Sequence, residues 1–133
     1  VPSSHVFAKN KNLAISDLKD ENIIVFNRMK AVGLFNKIND LFHQEKVTPN
    51  IVSQPQNMQT LLTEVSAKLG IAIAPSCVAK LYTQGCSFVS LAGTEIKIPL
   101  EIQYMKENNN SIIEQFINLT FENKVLIKKL SQL

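Results

Sequence analysis

The chain has no tryptophan, one arginine, two histidines, two cysteines and four glycines. Each shortage removes a class of chemistry. Gly33, Gly70, Gly85 and Gly93 are too few and too dispersed for a glycine-built phosphate cradle, and no P-loop, GxGxxG or GxSxG occurs. Cys77 and Cys86 cannot make a disulfide scaffold, and no CxxC or Cys/His cluster offers a zinc site. Two reduced thiols acting as small buried apolar groups is the plain expectation. A redox pair is the sharper one, because a thiol at a helix start is activated. His5 and His43 stand in no nucleophile or metal-ligand spacing and read as surface residues, as do Asp17, Asp20, Glu21 and Asp40. The chain is therefore not expected to be an enzyme, and no catalytic residue, metal or cofactor is assigned.

Long apolar runs are missing too. None approaches the roughly 18 residues of a membrane span, and nothing at the start reads as a secretion signal. Val1 is not a start residue, so the chain is expected to be part of a longer protein. Its charge is +3 with a pI near 8.9, carried almost wholly by lysine. The lysines are scattered, whereas a nucleic-acid surface gathers them on one face. Only Lys124, Lys128 and Lys129 cluster, and cations there suit a helix C-terminus. No nucleic-acid face and no membrane contact are expected of this segment.

What remains is the make-up of one packed domain, with 133 residues of which 45% are hydrophobic. After a polar, looped opening from Val1 to Asn12, Ile15–Leu18 reads as a helical turn with Ser16 as its cap. Asn22–Phe26 is rich in β-branched residues and reads as a buried strand. Gly33 opens a helix to about Glu45, with Leu34, Phe35, Ile38, Leu41 and Phe42 as its apolar stripe. Ile51–Gln54 reads as a second strand. Leu61, Leu62, Val65 and Leu69 then mark a helix from about Asn57 to Leu69, with Gly70 as its left-handed stop. Ile71–Ala74 is a continuous apolar strand ended by Pro75. A short helix over Ser76–Gln84 follows, carrying Val78, Leu81 and Tyr82. Strands are expected over Ser87–Leu91 and Ile96–Tyr104. Ser111 is expected to cap a last helix bearing Ile112, Phe116, Ile117 and Phe121, its tail fraying toward Leu133. Alternating strands and helices predict an α/β fold with a doubly wound, mostly parallel mixed sheet and helices on both faces.

The order of these signals resembles the effector-binding region of LysR-type transcriptional regulators. Pro2-Ser3-Ser4-His5-Val6-Phe7-Ala8 resembles that family's P-x-x-H-P-L-A opening, with Val6 in place of proline. Ile15-Ser16-Asp17-Leu18 and Thr48-Pro49-Asn50-Ile51-Val52 resemble its hxxL and P-x-hV elements. Val65 to Pro75 is similar to its V-A-A-G-x-G-h-x-h-h-P signature, departing at Lys68, where a glycine is usual. Ser111 to Ile117 resembles S-P-x-h-x-x-F-h. The resemblance implies a periplasmic-binding-protein-like (type 2) lobe of a cytoplasmic regulator that senses a small molecule between two lobes. It also implies that DNA is reached only through a helix-turn-helix domain absent from this chain, and that the protein is a homo-oligomer. Residues 1–95 would be the second lobe. Residues 96–133 would be a return strand and a C-terminal helix that resemble first-lobe elements, their apolar stripe lacking part of its cover.

A ligand of a doubly wound sheet binds beyond the carboxyl ends of strands, beside helix N-termini. Two loops qualify. In the first, Asn27, Arg28, Met29, Lys30, Val32 and Gly33 follow the strand Asn22–Phe26, and the planar fork of the sole arginine suits a carboxylate, phosphate or sulfate. Backbone N–H groups near Val32 and Gly33 would add to an anion site. A solvated or ion-paired loop arginine is the competing reading. In the second, Gln54, Gln56 and Asn57 offer donors and acceptors, although capping alone explains Asn57. Met29 and Met58 are candidates for an apolar wall, with a core place favoured for Met58. In the peroxide-sensing branch of the family a cysteine sits in or near the first loop; Asn27 to Gly33 holds none. Three functions follow: an effector-sensing lobe for a small organic anion, a solute-binding lobe without DNA coupling, and, least supported, an enzyme.

Overall fold

The computed structural model describes residues 1–81, 84–93, 102–105 and 110–131. Its centre is a three-stranded parallel sheet in the order β3-β2-β4, formed by β2 (Asn22–Ile24), β3 (Asn50–Ser53) and β4 (Ile71–Ala72). Asn22 pairs with Asn50 and Ile23 with both Ile51 and Ile71. The Asn50 amide also donates to Asn22 Oδ1 at 2.8 Å, fixing the amino end of this register. β1 (Asn12–Leu13) and β5 (Ser90–Leu91) form a separate parallel pair. The fold is the expected α/β class, but the described strands make two small sheets rather than one.

Side chains alternate across a strand, and β2 shows why the sheet is covered twice. Ile23 and Val25 face a cluster with Leu13, Ile15, Leu18 and Ile71, to which α1 (Val32–Gln44) adds Ile38, Leu41 and Phe42. Ile24 faces the other way, onto Leu61, Leu62 and Val65 of α2 (Met58–Ser66) and onto Val78. Ile23, Ile24 and Val25 are all buried, each such side chain contributing about 1.5–3 kcal/mol. The helices therefore lie on opposite faces, as the apolar stripes predict.

Several boundaries move for local reasons. Both helices end in a Schellman arrangement. In α2 the Leu69 N–H donates to Glu64 O and the Lys68 N–H to Val65 O; in α1 the Val47 N–H donates to Phe42 O and the Lys46 N–H to His43 O. The left-handed residues are Lys68 (φ 65°) and Lys46 (φ 54°), so α2 stops three residues before Leu69. Gly70 is not the left-handed stop. A Cβ there would lie 2.5 Å from the Asn22 carbonyl oxygen, so its glycine is demanded by the close approach to β2. Leu69, expected on the apolar face, is exposed.

The remaining differences are similar in kind. Ile15–Leu18 is a 3-10 turn capped not by Ser16 but by Asp17, whose Oδ2 accepts from the Ala14 N–H at 2.8 Å. Ser76–Lys80 is a single 3-10 turn rather than a helix to Gln84; Tyr82 lies outside the described residues. The strands expected over 22–26, 71–74 and 87–91 shorten to β2, β4 and β5. Of the expected strand Ile96–Tyr104, residues 96–101 lie outside the described residues and 102–105 carry no regular structure. The last helix is α3 (Ser111–Glu122). Asn110 caps it through Oδ1 to the Ile112 N–H, so Ser111 is its first residue rather than its cap. Beyond Asn123 the chain forms another helix, α4 (Lys124–Ser131), where fraying was expected. α3 buries no residue, and Ile112, Phe116, Leu119 and Phe121 are all exposed.

Candidate functional site

The site is built where β2 and β3, running parallel, end side by side. Their following loops are joined by a backbone bond: the Asn27 N–H donates to the Pro55 carbonyl at 2.9 Å. Asn27 also organises its own loop. Its side-chain Oδ1 accepts from the Met29 N–H at 3.0 Å, and its carbonyl accepts from Lys30 and Ala31 N–H at 3.0 and 3.1 Å. An Asn side chain that bonds its own backbone two residues on makes a turn without glycine, which is how this glycine-poor chain reverses direction here.

The turn leaves Arg28, Met29 and Lys30 exposed at the rim. Neither cation has a carboxylate partner among the described residues, unlike His5, which meets Glu21, and Lys19, which meets Asp20. No acid occurs from Phe26 to Gly33 or from Gln54 to Asn57, so the potential at this end of the sheet is positive. Met29 is 84% exposed and forms no apolar wall, whereas Met58 packs against the α2 side of the core.

The two helix starts differ. α2 is capped by Asn57, whose Oδ1 accepts from the Thr60 N–H at 2.8 Å, so that acceptor is already engaged. α1 has Ala31 at its cap position, with no side-chain acceptor to offer. The first N–H groups of a helix have no partner within it, so those of Val32 and Gly33 stay available beside Arg28. Both residues are exposed, and Gly33 has open space around it. Gln54 and Gln56 are exposed on the second loop, and Pro55 between them is buried. The structure thus gathers Asn27, Arg28, Lys30, Val32, Gly33, Gln54, Gln56 and Asn57 at one end of the sheet. The role of Pro55 as backbone acceptor is not signalled by the sequence; that of Asn27 is foreshadowed by its turn-forming residue type.

Two cavities lie elsewhere. One of about 290 Å³ runs between β4 and residues 86–91, its lining including Leu13, Leu61, Leu62, Val65 and Val89. Another of about 280 Å³ opens at the amino ends of β2 and β4, beside His5, Glu21 and Lys68. Neither is lined by a residue of the two loops, which present an open wall. The cysteines do not join the site. Cys77 is exposed, contrary to the plain reading of a buried thiol. Cys86 is half-buried, its Sγ donates to Leu62 O at 3.3 Å, and burial pushes its thiol pKa up despite the Val1 ammonium. Among the described residues no group of three or more His, Cys, Asp or Glu is placed to hold a metal, and no helix is long and apolar enough to cross a membrane.

A parallel sheet wound on both faces, with polar loops tied together at its carboxyl end, defines the ligand-binding lobes of the type 2 periplasmic-binding-protein class. The chain belongs to the LysR substrate binding domain family, which matches residues 1–123 and leaves α4 outside. Among curated relatives it is 27% identical over 120 residues to the HTH-type transcriptional regulator AlsR of Bacillus subtilis, covering 90% of this chain and 40% of that protein. It is 28% identical over 123 residues to the HTH-type transcriptional regulator TtuA of Agrobacterium vitis, again with 90% and 40% coverage. The crystal structure of HinK, a LysR family transcriptional regulator from Pseudomonas aeruginosa, superposes with a TM-score of 0.63 at 19% identity, over 89% of this chain and 41% of that one. The chain thus spans about two fifths of the length of the relatives it matches.

Proposed function

We propose that this chain is the effector-sensing region of a LysR-type DNA-binding transcriptional regulator and that its two joined loops hold a small organic anion. The observation that carries the reading is the pairing of the loops through Asn27 and Pro55, with Arg28 and Lys30 free of carboxylate partners beside the uncapped start of α1. A carboxylate placed there would accept from the Arg28 fork and from the Val32 and Gly33 N–H groups, while Gln54 and Gln56 would bond its polar substituents. The open wall fits a cleft closed by the other lobe. In this reading residues 1–95 are the second lobe and 96–133 return to the first. Effector binding changes the angle between lobes, and a helix-turn-helix elsewhere in a cytoplasmic homo-oligomer carries the change to DNA. The names of the curated relatives, HTH-type transcriptional regulators, favour this over a solute-binding lobe without DNA coupling.

The test is a thermal-shift screen of small anionic, neutral and cationic compounds against the two-lobed protein. An effector at about 100 times its Kd should stabilise by about 2.7 kcal/mol. Arg28→Ala should weaken it by roughly 10- to 100-fold, the loss of a charged hydrogen bond. A screen yielding only neutral or cationic hits, unchanged by Arg28→Ala, would overturn the anion assignment.

A further inference from the structure

We propose that His5 is a protonation-controlled latch that holds the opening segment in one of two ways. The residue lies outside the effector loops, at the opposite end of the sheet. Its Nδ1 accepts from the Phe7 N–H at 3.3 Å and caps the 3-10 turn Val6–Lys9, while the ring meets the Phe7 ring edge-on at 4.9 Å between centroids. A neutral imidazole has one bare nitrogen and one N–H. With Nδ1 accepting, the proton sits on Nε2, which faces Glu21 Oε2 at 3.4 Å. Asp20 and Lys68 are the other charged groups lining the same cavity.

Adding a second proton makes these two contacts compete. Nδ1 becomes a donor opposite another donor, the Phe7 N–H, so the turn loses its cap. At the same moment Nε2 gains a full positive charge facing Glu21. One proton therefore moves the grip of His5 from its own turn to the residue just before β2. The rest of the segment stays attached through the Ser3 N–H to Gly85 O bond at 2.8 Å and the bridge between Pro2 and Cys86. The Val6–Lys9 turn keeps its own bonds, Ala8 N–H to His5 O and Asn10 N–H to Phe7 O at 3.0 Å each, so the change falls on the Phe7 N–H. Histidine as a residue type changes charge between about pH 5 and 8.

The test is a ¹⁵N NMR titration of the full 133-residue chain across that range. At its upper end His5 should be the Nε2–H tautomer. On acidification the Phe7 amide should follow the imidazole titration, and its hydrogen exchange, corrected for intrinsic pH dependence, should rise about tenfold. His5→Asn keeps a capping acceptor without a titrating group, so it should leave the Phe7 amide bonded and indifferent to pH. Glu21→Gln should preserve the Phe7 response while freeing the protonated ring to change rotamer. An Nδ1–H tautomer at neutral pH, a Phe7 resonance indifferent to the titration, or the same response in His5→Asn would each overturn the latch.

Discussion

α1 and α3 are close in length and both carry an apolar stripe, yet they hold different positions in the molecule. α1 sinks Ile38, Leu41 and Phe42 into the core, whereas α3 buries nothing and leaves Phe116 57% exposed. The difference teaches that amphipathic spacing specifies a face but not its partner. α1 and α2 have β2 between them, which supplies a buried surface on each side. Among the described residues α3 and α4 contribute nothing to either core cluster, and they are joined end to end at Asn123.

The comparison can be broken most directly with two phenylalanines. Phe42→Ala should cost about 3–5 kcal/mol, a large share of a small domain's stability, while Phe116→Ala should stay within about 0.5 kcal/mol. Urea denaturation followed by circular dichroism reads both; equal losses would mean that α3 is part of the same core. Gly70→Ala comes next, because its methyl group meets the Asn22 carbonyl at 2.5 Å. It should destabilise by about 1–3 kcal/mol. Asn57→Ala should cost about 1 kcal/mol through loss of the α2 cap, and Asn57→Asp should restore it. The smallest effect has the opposite sign. Lys68→Gly relieves a left-handed lysine and should gain about 0.5 kcal/mol, seen as a rise in Tm, because glycine's extra freedom in the unfolded chain offsets part of the relief.

Where periodicity was strong, the sequence could be read directly. Ile38, Leu41 and Phe42, and Leu61, Leu62 and Val65, stand on their helices as their spacing predicts, because burial against a two-sided strand enforces that spacing. Boundaries were harder, since they depend on hydrogen bonds rather than on hydrophobicity. Gly70 looked like a helix stop because glycine serves that purpose so often, yet its neighbour Lys68 takes the left-handed place and Gly70 answers to a strand 48 residues earlier, at Asn22. Lys68, where the resembled signature carries glycine, is held at positive φ. For the candidate site, the loops and Arg28 were legible from their place after strands. Their connection was not, because it runs through the main chain of Asn27 and Pro55, and a carbonyl leaves no mark on residue type.

That single bond has a consequence for how the site should be dissected. Two loops that share a backbone hydrogen bond cannot drift apart independently, so Arg28 and Gln56 answer to one frame. Substitutions on separate loops would ordinarily add. Here a change that shifts one loop alters what the other presents, and a double-mutant cycle between Arg28→Ala and Gln56→Ala should return a coupling term rather than a sum. The bond makes two short polar loops a single structural element, and in the proposed site their energetics would belong to the pair and not to either member.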